Sequence, residues 1–310
     1  MQQSQGRTVR FLVPAVGAFL ALACTASADK APATAPQGAS SSPGAKPPSG
    51  PMTGDASGAR GRAVLKAQLA ALANDETFIA TFAKQATVLT PLGSSEIHVP
   101  NAAVAASIAF LSPHAEVKSA TFDHFTSGGN AQVAWFAAEL HLEIASREPG
   151  GPTATVKHTL RAIELLDGAA DWKVAVAAFT NVAPLYSFGT SSIEEPTDAG
   201  PLANLLVSPE VLAGALGEGA VVFGTDPGER GTGTASAKAL LGKWKRLTIT
   251  FDPKSKVHEV RTATYGYAMV NVNIVTKPGT EAYKLNAFVL ALPVAGGAWS
   301  VVAASYGALF

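Results

Sequence analysis

The chain has 310 residues, 47% of them apolar and 15% charged, with 23 basic against 23 acidic side chains and a single cysteine. Removal of a leader carrying Arg7 and Arg10 leaves a net charge near −2, which gives no electrostatic basis for a nucleic-acid partner or for binding an anionic membrane surface. One cysteine excludes an intrachain disulfide and a thiolate zinc site, so stability has to come from packing.

The first 23 residues read as an export signal: Arg7 and Arg10, then the apolar run FLVPAVGAFLALA over 11–23, too short to span a membrane. Cys24 follows directly and resembles the acylated cysteine of a bacterial lipoprotein. The Ala21-Leu22-Ala23 and Ala26-Ser27-Ala28 triplets would equally serve an ordinary signal peptidase. The expected location is therefore the cell envelope, as an outer-membrane lipoprotein facing the periplasm or the exterior, with plain secretion as the alternative. On that reading the only membrane contact is the lipid on Cys24. Residues 24–60, rich in Pro, Ala, Ser and Gly, cannot bury enough apolar surface to offset ordering entropy and read as a flexible tether. A first domain is expected over 61–186, a polar linker over 187–199 and a second domain over 200–310.

In the first domain Leu65, Leu69 and Leu72 form one helical stripe, and Asp75 opens a short helix carrying Phe78, Ile79 and Phe82. Long strands follow. On 135–144, Phe136, Ala138, Leu140, Leu142 and Ile144 share the face expected against the helices, while Trp135, Ala137, Glu139, His141 and Glu143 share the other. In the second domain Ser208-Pro209-Glu210 has the form of a helix start. There, Gly266, Ala268, Val270, Val272 and Ile274 take the core face, and Tyr265, Tyr267, Met269, Asn271 and Asn273 the outer one. Outer faces carrying Trp135, Tyr265, Tyr267 and Met269 suit an intramolecular pseudo-dimer packed sheet to sheet; the alternative is two half-exposed faces. Helices first and an antiparallel meander afterwards give an α+β class.

The two domains read as one segment written twice. Lys157–Asn181 aligns without gaps on Lys284–Ala308 with five of 25 positions identical, among them Trp172 with Trp299, both read as core anchors. The order of alternating strand, Gly-containing turn and Trp-led final strand recurs.

The segment VVFGTDPGERGTGTASAKALLGKW and the closing strands ending in AFTN and ASYG resemble the SnoaL-like, ketosteroid-isomerase-like branch of the nuclear transport factor 2-like superfamily. Gly224-Thr225-Asp226-Pro227, Glu229 and Gly231 carry the resemblance best; Thr90-Pro91-Leu92-Gly93-Ser94-Ser95-Glu96 is its weaker counterpart. The resemblance implies two consecutive cone-shaped domains of the cystatin-like α+β roll type, each a curved, mostly antiparallel sheet wrapped on N-terminal helices, with a pocket at the wide end. The family includes isomerases, dehydratases and cyclases, so fold alone does not choose a function.

Chemistry in such a pocket would need a carboxylate base or a His–carboxylate pair. The candidates are Glu139, His141, Glu143 and His158 in the first domain, although strand parity puts the first three on the face expected to be solvated. In the second domain Asp226 and Glu229 read as helix-capping carboxylates, with Glu229 alternatively reaching the pocket mouth. His124 beside Asp123 reads as a loop pair. No His-Glu-x-x-His spacing, dinucleotide fingerprint, phosphate loop or Gly-x-Ser-x-Gly elbow occurs, so neither metal nor cofactor is expected. The leading reading is a non-catalytic module binding a small apolar ligand or an envelope protein. The alternatives are an isomerase-, dehydratase- or cyclase-type enzyme and a structural envelope lipoprotein.

Overall fold

A computed structural model describes residues 54–72, 75–90, 97–98, 115–146, 154–182, 187–190, 199–275 and 281–308; Cys24 and the leader lie outside them. Helix α1 (Gly54–Ala70) and the short α2 (Asp75–Ile79) precede six strands: β1 (Phe82–Leu89), β2 (Ile97–His98), β3 (Ala115–Gly129), β4 (Val133–Ser146), β5 (Ala154–Asp167) and β6 (Lys173–Asn181). They form one sheet in the order β2-β1-β6-β5-β4-β3, with β1 and β6 parallel and every other pair antiparallel.

A second sheet has the path β10-β12-β13-β14-β8-β9, with β11 on β12 and β7 on β13. Its strands are β7 (Ser187–Thr190), β8 (Leu216–Phe223), β9 (Arg230–Thr232), β10 (Thr248–Phe251), β11 (His258–Arg261), β12 (Gly266–Val275), β13 (Glu281–Pro293) and β14 (Trp299–Ala308). Helices α3 (Pro201–Leu205), α4 (Pro209–Ala215) and α5 (Thr234–Trp244) belong to this half. Here too the last strand pairs antiparallel with the long strand before it and parallel with an early one, β8. The architecture is α+β, with both sheets mostly antiparallel, curved and backed by helices.

Strand alternation explains why each sheet is covered on both sides. The even-numbered apolar residues of β4 (Ala134, Phe136, Ala138, Leu140) pack with Leu65 of α1. In β12, Ala268, Val270, Val272 and Ile274 pack with Leu202, Leu212, Leu240 and Leu241 from the three helices. The opposite faces meet each other: Trp135, Ile163, Leu165 and Val176 from the first sheet share one cluster with Tyr267, Met269, Phe288 and Leu290 from the second, and Tyr265 lies partly buried against it. Both sheets belong to one compact unit, Pro48–Leu309. Cross-sheet polar contacts frame the apolar centre. The Tyr267 hydroxyl donates to Thr87 Oγ1 at 2.9 Å, the Thr180 and Ser305 hydroxyls bond at 2.5 Å, and Asn286 Nδ2 donates to the Thr90 carbonyl at 3.3 Å.

Several local expectations are corrected. Helix α1 begins at Gly54, inside the stretch read as tether, because the sheet supplies an apolar wall that composition does not reveal: Gly61 lies against Phe136 and Phe125, and Arg60 and Arg62 stack on Trp172 and Phe125 at 3.8 and 4.1 Å. Residues 187–190, read as linker, add β7 to the edge of β13. Phe82 opens β1 instead of extending the short helix. Trp172 and Trp299 are only partly buried, since they sit at hairpin ends, Trp172 in the left-handed region at φ 58°. Ser208 occupies the N-cap position of α4 without a side-chain capping bond, leaving Pro209 and Glu210 to define that start. Strand β3 closes one end of its sheet, and bulges interrupt its pairing with β4 at Val117/Ser119 and Asp123/Thr126.

The approach of the two sheets is tightest where β14 passes β6. A Cβ on Gly307 would collide with Thr180 Cβ and lie 2.9 Å from Asn181 N, so this position requires glycine for space, not for backbone freedom. Gly307→Ala should lower unfolding free energy by about 1–3 kcal/mol in chemical denaturation. Gly214→Ala, on α4 with nothing within 4 Å of the added carbon, should be neutral or stabilise by up to about 1 kcal/mol. Equal effects of the two would refute the close approach.

Candidate functional site

Glu139, expected on a solvated face, is 5% exposed. The second sheet covers it, and its charge is met by two arginines: Arg161 Nε at 3.0 Å from Oε1 and Arg230 Nη1 at 3.1 Å from Oε2. Glu139 and Arg161 are direct cross-strand neighbours on β4 and β5, whereas Arg230 comes from β9 of the other sheet. Arg161 is wholly buried, and burial lowers its pKa while Glu139 opposes that shift. The guanidinium then crosses to the second half, donating to the carbonyls of Gly224, Asp226 (2.8 Å) and Pro227 (3.4 Å) and lying 5.2 Å from the Phe223 ring.

His141 shares this face but reaches the surface. Its Nε2 lies 3.2 Å from Asp123 Oδ1, and Nδ1 lies 3.4 Å from Thr159 Oγ1. His124 also reaches Asp123, at 3.5 Å. Adjacent strand residues would point apart; the bulge at Asp123/Thr126 and the left-handed φ of 47° at His124 turn both side chains together, so the pair is in a strand and not a loop. Asp123, Glu139 and His141 bring one potential metal-ligating atom each within 4.8 Å of one another. Both Glu139 oxygens are held by guanidinium groups, a positive surrounding that opposes a cation. Glu143 accepts from Ser119 Oγ at 3.2 Å. His158 does not join them: it is paired with Leu142, on the helix-facing side, where burial lowers its pKa.

In the second half a cavity of about 70 Å³ is lined by Thr225, Asp226, Glu229, Trp244 and Tyr306 over an apolar floor that includes Ile249, Ile274 and Leu285. Glu229 caps no helix; its carboxylate accepts from the Thr225 and Asp226 amides (3.0 and 3.3 Å) and from Trp244 Nε1 (3.0 Å). It thus organises the turn and lines the cavity together. The Tyr306 hydroxyl donates to the Leu206 carbonyl at 3.0 Å, and its burial raises its pKa.

One group was not singled out by motif. Glu164 on β5 is fully buried among Phe136 and Ala177, its cross-strand neighbours. Gln68 of α1 donates to its Oε2 at 3.0 Å and also approaches Thr81 Oγ1 at 3.3 Å, while Oε1 has no hydrogen-bond partner among the described residues. Desolvation pushes the carboxyl pKa up to about 8, so at neutral pH it is largely the protonated acid. With Oε2 accepting from Gln68, a proton carried on Oε1 would be a donor without an acceptor among the described residues. The available signal was parity: in LRAIELL, Glu164 shares its face with Leu160, Ala162 and Leu166. On the flank of α1 away from this group, Leu69 and Leu72 with Ala120 and Phe122 line an open groove of about 590 Å³.

No family model matches the chain, and no curated protein does. Among solved structures, a ketosteroid isomerase-like protein from Erwinia carotovora atroseptica is 15% identical over 40% of this chain and 94% of its own, with a TM-score of 0.34. A nuclear transport factor 2-like superfamily protein from Salmonella enterica is 11% identical over 42% and 94%, TM-score 0.37. A nuclear transport factor 2-like protein from Cytophaga hutchinsonii is 14% identical over 39% and 94%, TM-score 0.32.

Glu164 gives a pH signature. Its folded pKa exceeds its unfolded one, so the folded state holds the extra proton between about pH 4.5 and 8. The stability this proton confers is complete below the unfolded pKa and is lost as pH rises through the folded pKa, with a slope approaching 1.4 kcal/mol per pH unit. Denaturation from pH 5 to 8 should show the wild type losing stability relative to Glu164→Gln. Parallel curves for the two proteins would refute the buried neutral acid.

Proposed function

We propose that this chain is an exported, envelope-anchored binding module of two diverged SnoaL-like domains, packed as an intramolecular pseudo-dimer, that holds a small, largely apolar, uncharged ligand without transforming it. The observation that carries this reading is Glu164: a carboxyl deep among apolar side chains, its pKa raised by burial, whose Oε1 has no hydrogen-bond partner among the described residues. A buried donor lacking an acceptor costs free energy, and a ligand carbonyl, ether or hydroxyl oxygen would recover it. Shared strand order, with the last strand of each half parallel to an early one, supports the reading of two copies.

The non-catalytic side of the proposal rests on how the other carboxylates are engaged. Glu139 is shared by two arginines, and Glu229 is occupied by two turn amides and an indole. Acid–base turnover would instead need a second titratable group beside Glu164, whose side-chain neighbour here is the amide of Gln68.

Linear methyl ketones from acetone to 2-nonanone test the ligand class. Millimolar ketone should raise the Tm of the wild type, increasingly with chain length, and the gain should fall at least fivefold in Glu164→Leu. An equal rise in both proteins, or none in either, would sink the assignment. Metabolic labelling with an alkynyl palmitate tests the anchor: label should enter the wild type and be absent from Cys24→Ala, and an unlabelled wild type would establish plain secretion or processing past Cys24.

A further inference from the structure

We infer that Arg161 is a positioning residue for the cavity of the second half: the first sheet holds from outside the turn that forms the cavity's polar wall. The inference is independent of the ligand proposed for Glu164. It rests on the two-sided bonding of residues 224–229. On the inner side the turn's amides converge on Glu229: Thr225 N and Asp226 N bond its carboxylate, and Gly224 N bonds its carbonyl at 2.8 Å. Trp244 Nε1 fixes the other carboxylate oxygen. On the outer side the carbonyls of Gly224, Asp226 and Pro227 all face one guanidinium, that of Arg161.

The same guanidinium is fixed in turn. Its Nε is bonded to Glu139, whose second oxygen holds Arg230, the residue directly after Glu229. The contacts therefore close a ring from β5 through the turn to Arg230, on to Glu139 of β4 and back to Arg161. Three of the residues lining the cavity, Thr225, Asp226 and Glu229, lie on this turn. Displacing them outward to admit a ligand larger than one or two waters would break carbonyl bonds to a guanidinium that is wholly buried. Arginine is the side chain suited to this role, because its planar fork can serve a carboxylate and several carbonyls at once, whereas lysine has a single ammonium. The cavity of one half thus takes its shape from a residue of the other.

The test is residue-resolved hydrogen exchange on the full chain, following the Thr225 and Asp226 amides and the Trp244 indole N–H, with β13 amides as the global reference. In Arg161→Met these three protons should exchange at least tenfold faster relative to the β13 reference. Tyr267→Phe, which removes a cross-sheet bond to Thr87 made from β12, separated by β13 and β14 from the strand that leads into the turn, should leave that ratio within threefold of wild type. Should Arg161→Met fail to fold, Arg161→Lys carries the test, with the same selective acceleration expected at the turn. Uniform acceleration across β13 and the turn, or the same selectivity from Tyr267→Phe, would reduce Arg161 to a general stabiliser and overturn the inference.

Discussion

Everything in this molecule is organised by the burial of four sheet faces instead of two. A sheet with one wet face alternates apolar and polar residues, whereas β4 and β12 are apolar on both sides over much of their length. One face meets helices and the other meets the partner sheet, so Trp135, Tyr267, Met269 and Phe288 are as deeply buried as Phe136, Leu241 and Val272. Neither half could be exposed alone without bringing this second apolar face into water. The helices therefore back each curved sheet, but the contact between the two sheets joins both halves within the unit Pro48–Leu309.

That contact is not uniformly apolar, and its polar members define register. At roughly 25 cal/mol per Å² the aromatic and aliphatic centre supplies non-directional attraction, which alone would tolerate sliding of one sheet over the other. Arg161, Glu139 and Arg230 remove that freedom, because a buried guanidinium is tolerable only where its partners stand in fixed places. The hydroxyl pair Thr180–Ser305 and the Tyr267–Thr87 bond add fixed points elsewhere. Farther along the same face of the second sheet, Asn271, Asn273 and Asn286 are buried with amide atoms lacking partners among the described residues.

Much of the fold was legible because strand parity is a strict period of two. The face assignments of Phe136, Leu140, Val270 and Ile274 follow from sequence alone, and so does the concentration of aromatics on the opposite faces. What parity does not give is the partner that covers a face. Glu139 was read toward solvent because nothing local announces a second sheet carrying Arg230 and the turn carbonyls, which lie more than 60 residues along the chain. Glu164 had the opposite history: its side was readable, but an acid inside an apolar strand matches no motif and gains its meaning only from Gln68 and the depth of burial. Local geometry also defeated simple periodicity at His124, where one bulge converts opposed neighbours into a pair. Helix boundaries failed for a related reason, since the start of α1 depends on a wall formed by Phe125, Phe136 and Trp172.

Strand β3, fifteen residues long, ends its sheet and pairs on one side only among the described residues, the kind of rim on which stray chains can template themselves into fibrils. Its two irregularities break the rim into short stretches, and the charges of Glu116, Lys118 and Asp123 stud it. Along such a rim these interruptions shorten every stretch that a second copy could pair with, so lateral zippering competes poorly with the native pairing.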